Sequence, residues 1–396
     1  MSALYLDINY VFSSELSRFI GGETYSSSTL LIYLLFFFIA SKTIFTKVRV
    51  NKISLLSEKY SSIRYELFGF DFFTLLSLSL FIFLFVTFLN LFTTPIPIFS
   101  GLDRVTYFRS YGGLLLSTIV KLTNIIGLLL GVLYVYSKGH PFNRRVVLIS
   151  FFLFLVILFM IGNKFSTPLR FILFFVLPIA ILYTNRSIFT DIKVKNILFI
   201  LVGIVGFITI TLAYINMNFG DRILLRYLED RVMVAQGQLW WDFYDQYFYF
   251  NWSINDFYHA YNNTFIEPLY GFQGNKFLLY LMDQIVSAKQ LFNRIDNGYL
   301  YTGAYPAFLV VWLSPIGSLL MHFLLALTYS HVLYIFFVFM AKRYFFTSIM
   351  LGYLVISIIF IFVTSDFGHL SVYIAKLLLI FMAYIMDELL RKGKHI

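Results

Sequence analysis

The sequence predicts an all-α polytopic integral membrane protein with about nine to ten transmembrane helices and one large external loop that contains short helices. Of its 396 residues, 60 % are hydrophobic and only 13 % are charged. The hydrophobic residues recur in nearly uncharged runs of about 20 residues, the length at which a helix crosses a bilayer. Runs such as LLIYLLFFFIA are apolar on every face, whereas the strands of a membrane β-barrel alternate polar and apolar positions.

The chain divides by hydropathy into membrane helices at 1–216, a polar loop at 217–304 and C-terminal membrane helices at 305–396. We expect these parts to form a single functional membrane unit. Pro315 can break the longest hydrophobic stretch into a short external helix followed by a span. The nine predicted spans cover residues 27–45, 66–92, 113–137, 146–163, 168–184, 197–216, 305–340, 345–363 and 370–388.

Basic residues are concentrated in the connections on one side of the predicted spans. Of the 30 Lys and Arg residues, 17 lie in five segments: SKTIFTKVRVNKISLLSEKYSSIR, SKGHPFNRR, TNRSIFTDIKVK, AKRY and RKGKHI. Because basic connections face the cytoplasm, we expect a cytoplasmic C-terminus and an external N-terminus. Topology then explains the formal charge of +10, and nucleic acid is not an expected partner.

Residue types and motifs exclude several classes of chemistry. The chain has no cysteine, which excludes disulfides, thiol catalysis, iron–sulfur clusters and cysteine-ligated zinc. Its six histidines lack metal-binding spacing and no GxxxxGK[ST] phosphate loop occurs, so we expect neither a metal nor a cofactor. His322 lies in an apolar stretch and is expected to form a hydrogen bond between helices. The N-terminus lacks the basic region and apolar core of a cleaved signal peptide.

The polar 217–304 loop is expected to carry the function, as long external loops commonly do. Residues 222–250 of this loop read RILLRYLEDRVMVAQGQLWWDFYDQYFYF. If Asp221 caps a helix here, its polar residues fall on two faces. One face holds Arg222 and Arg226, and the other holds Arg231, Gln238 and Asp242. The alternative is a solvated amphipathic helix whose arginines pair with Glu229 and Asp230.

Further cations are predicted within or beside the outer halves of spans, where few are expected: Lys121, Lys164, Arg170 and Lys376. A charge at membrane depth costs about 2.5–3.5 kcal/mol, so it normally faces a cavity or a partner. Acidic residues are scarce in the spans, and an external anion such as a lipid-linked diphosphate fits these cations. The alternative is that the long side chains reach the outer interface, which is harder for Lys376.

The aromatic part of the loop has the composition of a sugar-binding surface. Trp240 and Trp241 can stack on sugar rings, and the neighbouring Gln236, Gln238 and Asp242 can bind hydroxyl groups. The alternative is an aromatic belt at the membrane interface.

The chain resembles the Wzy-type O-antigen polymerases in having many spans, one large external loop, and loop arginines ahead of QGQLWW and DNGYLYTGAYPAF. The resemblance is architectural over most of the chain and local over residues 222–242 and 296–308. Some members of that family carry an arginine and then, beyond ten intervening residues, a glycine, as do Arg226 and Gly237 here. The shorter external loop SGLDRVTYFRSYGG lacks a second copy of this spacing.

The resemblance implies a glycosyltransferase of the GT-C-like kind at the periplasmic face of the bacterial inner membrane. It implies that a glycan is transferred from undecaprenyl diphosphate to another lipid-linked repeat unit, and that a chain-length regulator lies in the same membrane. The departing diphosphate is already a stable leaving group, so cations can stabilise it without a metal. The expected cations are Arg222, Arg226, Arg231, Arg170 and Lys376.

A general base would remove the proton of the acceptor hydroxyl group. Asp242 beside the tryptophans is one candidate. Asp366 and His369 in TSDFGHLSVYIAK are the other candidates, in a short external turn before the span that contains Lys376. The alternative for this second pair is ordinary solvation in a short loop.

Other functions remain open on the sequence alone. An O-antigen ligase would share the loop, the cations and the donor, and would differ only in its acceptor. A lipid-linked oligosaccharide flippase would also use central cations, but it is expected to show two similar halves. A non-enzymatic membrane scaffold would need neither Lys376 nor the loop arginines.

Overall fold

The computed structural model is predominantly helical. It describes residues 2–13, 18–22, 24–61, 63, 65–67, 70–100, 104–137, 139–162, 166–180, 238–247, 253–262, 291–292, 305, 307–364 and 370–392. The predicted span 197–216 and most of the 217–304 loop lie outside these residues.

The elements follow one another along the chain as helices with two small hairpins. The strands are β1 (Val11–Ser13), β2 (Arg18–Ile20), β3 (Glu66–Leu67) and β4 (Phe70–Asp71). Each hairpin is antiparallel, with Val11 opposite Ile20 in the first and Glu66 opposite Asp71 in the second. The helices up to residue 180 are α1 (Ser2–Ile8), α2 (Ser26–Ile44), α3 (Lys47–Lys59), α4 (Phe72–Leu91), α5 (Pro97–Ser100), α6 (Arg104–Ser110), α7 (Leu114–Lys121), α8 (Thr123–Tyr136), α9 (Pro141–Met160) and α10 (Ser166–Ile179). The later helices are α11 (Gln238–Tyr247), α12 (Ile254–Tyr261), α13 (Ala307–Ala341), α14 (Phe345–Thr364) and α15 (Leu370–Lys392).

Four helices in the described part of the chain are long and apolar enough to cross a membrane: Ser26–Ile44, Phe72–Leu91, Pro141–Met160 and Leu309–Ala341. Shorter apolar helices cover Thr123–Tyr136, Thr167–Ile179 and Phe345–Ile359. These seven segments fall on predicted spans, so the prediction of a helical protein with membrane-length segments is confirmed. The total of nine to ten spans and their orientation stay predictions.

Local side chains and prolines set several helix boundaries away from the predicted ones. The Asp71 carboxylate accepts a hydrogen bond from the Thr74 amide at 2.9 Å, so α4 starts after the β3–β4 hairpin instead of at residue 66. Pro141 stands at the first position of α9, which starts before the predicted residue 146. The Thr123 hydroxyl donates to Val120 O at 2.8 Å, where the predicted span 113–137 is interrupted between α7 and α8.

Helix α13 contains the break that the sequence predicts at Pro315. Ser314 has φ 65° and ψ 170°, which is not helical and is strained for a residue with a side chain. Proline lacks the amide hydrogen that continues a helix and disfavours helical geometry in the residue before it. The short helix before Pro315 and the long helix after it are therefore separate segments of one apolar stretch.

The chain forms two compact units, each assembled from separated stretches. The first unit draws on Met1–Phe45, Gly220–Val332 and Ser357–Ala375, and the second on Thr46–Phe219, Leu333–Ile356 and Lys376–Ile396. The predicted division into 1–216, 217–304 and 305–396 follows the order of the chain, whereas these units interleave along it. Residues far apart in sequence therefore meet within each unit.

Helices α8 and α10 of the second unit pack closely at two glycines. A Cβ on Gly127 would lie 2.7 Å from Phe171 O, and one on Gly131 would lie 2.3 Å from Phe175 O. The two glycines form a GxxxG pair, the spacing that places small residues on one face of a membrane helix. The absence of side chains at these positions is what allows the two backbones to approach.

The short connection between α13 and α14 is fastened to the end of α15 within the second unit. The Asp387 carboxylate accepts from the Thr347 amide at 2.8 Å and so caps the first turn of α14. The Arg391 guanidinium lies 4.0 Å from the Tyr344 ring centroid and donates to Lys342 O at 2.6 Å. Arg343 donates to Ile63 O at 2.7 Å. Basic residues that the sequence assigns only to topology therefore also hold the fold.

Candidate functional site

Helix α11 lies in the aromatic part of the predicted 217–304 loop and is anchored on α2 within the first unit. The Trp240 side chain is 2 % exposed, and its indole Nε1 donates to Ser26 O at 3.0 Å. One turn later the buried Tyr244 hydroxyl accepts from the Thr29 hydroxyl at 3.0 Å. Trp240 and Tyr244 lie four positions apart and therefore share a helix face. That face fixes α11 to the start of α2.

The face of α2 that receives these residues is mostly polar, whereas large apolar side chains lie on its exposed faces. Its buried positions are Ser26, Thr29, Tyr33 and Ala40, which follow helical spacing. Large side chains such as Leu31, Leu35 and Phe38 are exposed instead. A helix in water has the opposite arrangement, and a helix in lipid keeps its polar groups toward protein.

His322 of α13 extends this polar face within the same unit. The side chain is 5 % exposed, and Nε2 lies 2.8 Å from Tyr33 O. A carbonyl oxygen can only accept, so Nε2 carries the proton, and in the neutral ring Nδ1 accepts from the Tyr305 hydroxyl with which it is paired. The predicted hydrogen bond between helices is confirmed, with a backbone carbonyl of α2 as the partner.

Tyr33 joins the two halves of this arrangement. Its hydroxyl is hydrogen-bonded to Ser318, and its ring meets the rings of Trp240 and His322 edge to face at 6.0 and 4.9 Å between centroids. Hydrogen bonds and ring contacts thus run without interruption from α11 through α2 to α13. We call this group the α2 polar cluster; it comprises Ser26, Thr29, Tyr33, Trp240, Tyr244, Tyr305, Ser318 and His322.

A carboxylate from α1 caps the start of α2. Asp7 Oδ2 accepts from the amide and hydroxyl of Ser27 at 2.8 and 2.6 Å, and Oδ1 accepts from the hydroxyls of Ser26 and Thr24 at 2.7 and 2.8 Å. Burial by itself raises the pKa of the Asp7 carboxyl, but these hydrogen bonds together outweigh it and lower the pKa below 3.8. Asp7 therefore stays ionised at neutral pH, facing the positive end of the helix dipole.

Trp241 and Asp242 are the predicted site residues that stand next to this anchor. Trp241 is 7 % exposed, and its Nε1 has no hydrogen-bond partner among the described residues. A buried donor left in this state costs about 1–3 kcal/mol, so an acceptor supplied by a ligand would be favoured there. The Asp242 carboxylate is 3 % exposed. Gln238 is the first residue of α11.

Arg170 and Lys376, the predicted cations in helices, belong to the second unit. Arg170 Nη2 lies 3.4 Å from the Thr167 hydroxyl, one turn earlier on α10. Lys376 is 8 % exposed, with Nζ 4.6 Å from the centroid of the Tyr353 ring. An aromatic face attracts a cation by its quadrupole. The sequence did not indicate this contact between Lys376 and Tyr353.

Six predicted site residues lie outside the described residues: Arg222, Arg226, Arg231, Gln236, Asp366 and His369. Among the predicted site residues that are described, Trp240, Trp241 and Asp242 lie together on helix α11. Within the part of the chain that is described, no group of three or more His, Asp or Glu residues could hold a metal ion.

Sequence reasoning missed Asp7, Tyr33 and Tyr305. Each reaches its partner across a long separation in sequence or through a backbone carbonyl, and no local motif marks such a pair. The run SSST at 26–29, polar residues opening an apolar helix, is the signal that could have indicated the start of α2.

Comparisons with known proteins give a family match for part of the chain. Residues 272–386 match a family of unknown function (DUF6418). The matched stretch contains Tyr305, Ser318 and His322 but not α11. No curated protein and no solved structure matches the chain. The chain is thus similar to this family over residues 272–386, a stretch that includes one side of the α2 polar cluster.

Proposed function

We propose that this protein is an O-antigen polymerase, transferring a glycan from undecaprenyl diphosphate to another lipid-linked repeat unit at the periplasmic face of the inner membrane. The observation that carries the proposal is the position of Asp242. It is a buried carboxylate beside two tryptophans, on a loop helix anchored to the polar face of a helix long enough to cross a membrane. Ionisable groups in such surroundings are costly and commonly functional.

In the proposed reaction Asp242 is the general base. Its carboxylate takes the proton of the acceptor hydroxyl group while that oxygen bonds to the anomeric carbon of the donor. The bond between this carbon and the diphosphate oxygen breaks, and the diphosphate leaves with the electron pair. Asp366 and His369 are the other candidates for the base.

The loop arginines predicted from the sequence stabilise the departing diphosphate in this proposal: Arg222, Arg226 and Arg231. Guanidinium groups bind phosphate oxygens in pairs. Loss of one contact that acts in the transition state should raise the barrier by about 3 kcal/mol, roughly a hundredfold in rate.

Trp241 is the described residue best placed to contact the glycan. Its indole N–H, which has no hydrogen-bond partner among the described residues, can donate to a sugar hydroxyl or a phosphate oxygen. The indole of Trp240 already donates to Ser26 O, so Trp240 serves to hold α11 in place. Gln236 and Gln238 remain proposed partners for sugar hydroxyls.

The gene-level experiment separates the proposed reaction from its rivals. The gene is deleted in its own strain, and the surface polysaccharide is separated on a gel. We expect lipid A core that carries a single repeat unit. Core without any repeat unit would instead indicate a ligase or a flippase, and an unchanged ladder would exclude all three functions.

The site-level experiment complements the deletion with single variants. Asp242→Asn should collapse the long chains, roughly a hundredfold in polymerisation rate, while the amount of protein in the membrane holds. Asp245→Asn is the matched control, because Asp245 is an exposed carboxylate on the same helix, and it should restore the full ladder. Arg226→Ala should also shorten the chains. A normal ladder with Asp242→Asn would remove this residue from the mechanism.

A further inference from the structure

Helix α3 belongs to the second unit and has one face packed against the rest of that unit. It begins at Lys47, three residues after α2 ends at Ile44, and the Thr46 side chain caps it. Ile53 and Ser54 are buried, and the Arg49 guanidinium lies 5.6 Å from the centroid of the Tyr334 ring. These contacts fix which side of the helix faces outward.

The outward side of α3 is an apolar ridge flanked by lysines. Val48 is 78 % exposed and Leu55 is 66 % exposed. At about 3.6 residues per turn these two side chains project along one line of the helix. Lys52 and Lys59 lie on one side of this line and Lys47 on the other, and all three are exposed. Glu58 is the one acidic residue in the helix.

This pattern matches a helix lying in the plane of a membrane surface. Such helices bury a narrow apolar face at the boundary of headgroups and acyl chains, while flanking lysines extend toward the phosphates. The excess of lysine selects an anionic surface, because positive side chains are attracted to negatively charged lipids. Two apolar residues form a strip far smaller than the roughly 800 Å² that each partner contributes to a stable protein interface.

We propose that α3 lies on the surface of an anionic lipid leaflet, with Val48 and Leu55 inserted below the headgroups and Lys47, Lys52 and Lys59 at the phosphates. The occupant of this face is thus phospholipid. The proposal depends on α2 crossing the membrane and is independent of any reaction at Asp242.

The natural absence of cysteine makes a direct test possible. Leu55→Cys and Asn51→Cys are made in the full-length chain, and each is labelled with a fluorophore whose emission shifts to the blue in apolar surroundings. Asn51 is exposed at the edge of the same face and serves as the matched control. The labelled proteins are reconstituted into vesicles of phosphatidylcholine alone or of phosphatidylcholine with phosphatidylglycerol.

With phosphatidylglycerol present, we expect the label at position 55 to be blue-shifted and several-fold brighter than the label at 51. The same label should be redder in phosphatidylcholine alone. Replacing Lys47, Lys52 and Lys59 together by Gln should remove the difference between the two vesicles. Retention of the thermal midpoint shows that the variants fold. A label at 55 that reports water in both vesicles overturns the proposal, as does a lipid signal that depends neither on phosphatidylglycerol nor on the lysines.

Discussion

Asp7 shows how a single side chain can organise the start of a membrane-length helix. Its two oxygens bind the hydroxyls of Thr24, Ser26 and Ser27 and the amide of Ser27. The first amides of a helix have no partner within the helix, and an acceptor there stabilises it. Asp7 therefore ties α1 to α2 and positions the polar face that carries α11.

Asp7→Asn should lower the free energy of unfolding by about 1 kcal/mol at neutral pH, because a cap and a charge at the helix dipole are lost. The pKa of Asp7 is lowered in the folded protein, so its stabilisation is present above the ordinary value of 3.8 and is lost as pH falls through the folded pKa. Thermal midpoints in detergent, measured from neutral pH downward, should therefore differ between wild type and variant and then converge. Asp245→Asn is the control, and equal midpoints at neutral pH would contradict this role.

Single residues also show what the sequence could predict about the site. Trp240, Trp241 and Asp242 were predictable as a group because they are consecutive, polar and aromatic in a loop otherwise bounded by apolar segments. The anchoring hydrogen bond of Trp240 was not predictable, because its acceptor is a backbone carbonyl 214 residues earlier. The contacts of Tyr33 were not predictable either, because its neighbours in LLIYLLFFFIA indicate a span but not which residues Tyr33 contacts.

The close approach of helices α8 and α10 rests on Gly127 and Gly131. A Cβ at either position would meet a backbone carbonyl oxygen of α10 well inside contact distance. Backbone cannot rotate away as a flexible side chain can, so the helices themselves would have to separate. The spacing GLLLG was visible in the sequence, but its partner helix was not.

Gly131→Leu should therefore destabilise the second unit by about 1–3 kcal/mol, through overpacking against Phe175 and Pro178. Gly131→Ala should have the same sign and a smaller size. Val176→Leu adds volume at an exposed position of α10 and is the control. Thermal midpoints of the purified variants test this; a wild-type midpoint for Gly131→Leu would show that the helices do not need this contact.

Hydrophobic runs predicted where helices lie better than where they begin and end. The runs identified the cores of α2, α4, α9 and α13, because transfer of a long apolar segment from water dominates its local preferences. The boundaries depend on single groups such as the Asp71 cap, Pro141 and the Thr123 hydroxyl. For the residues of α3 the sequence predicts only a connection, since its apolar residues are interrupted by lysines.

The distribution of exposed residues over the described chain agrees with the predicted membrane setting. Leu, Phe and Ile side chains are exposed along α2, α4 and α15, while serine, threonine and histidine side chains are buried between helices. Soluble proteins rarely expose apolar surface so extensively. The charge asymmetry between connections predicts an orientation, with the basic connections on the cytoplasmic side.

This orientation predicts opposite labelling of two single cysteines in the cysteine-free chain. Ser253→Cys, in the predicted external loop, should react with a membrane-impermeant maleimide in intact cells. Asn51→Cys, in a basic connection, should react only after the cells are permeabilised. Both positions are exposed, so a difference in reactivity reports the side of the membrane. Labelling of Asn51→Cys in intact cells would reverse the assigned topology.

The hydrogen bonds of Tyr33 can form only late in the synthesis of the chain. They join residues 285 and 289 positions apart, Ser318 and His322. A ribosome adds about 5–20 residues each second, so on the order of tens of seconds pass between synthesis of Tyr33 and synthesis of these partners. Throughout that interval Tyr33 of α2 lacks both bonds. A nascent chain that stalls before residue 318 therefore presents α2 without these two partners, the kind of feature by which a cell can distinguish an unfinished protein from an assembled one.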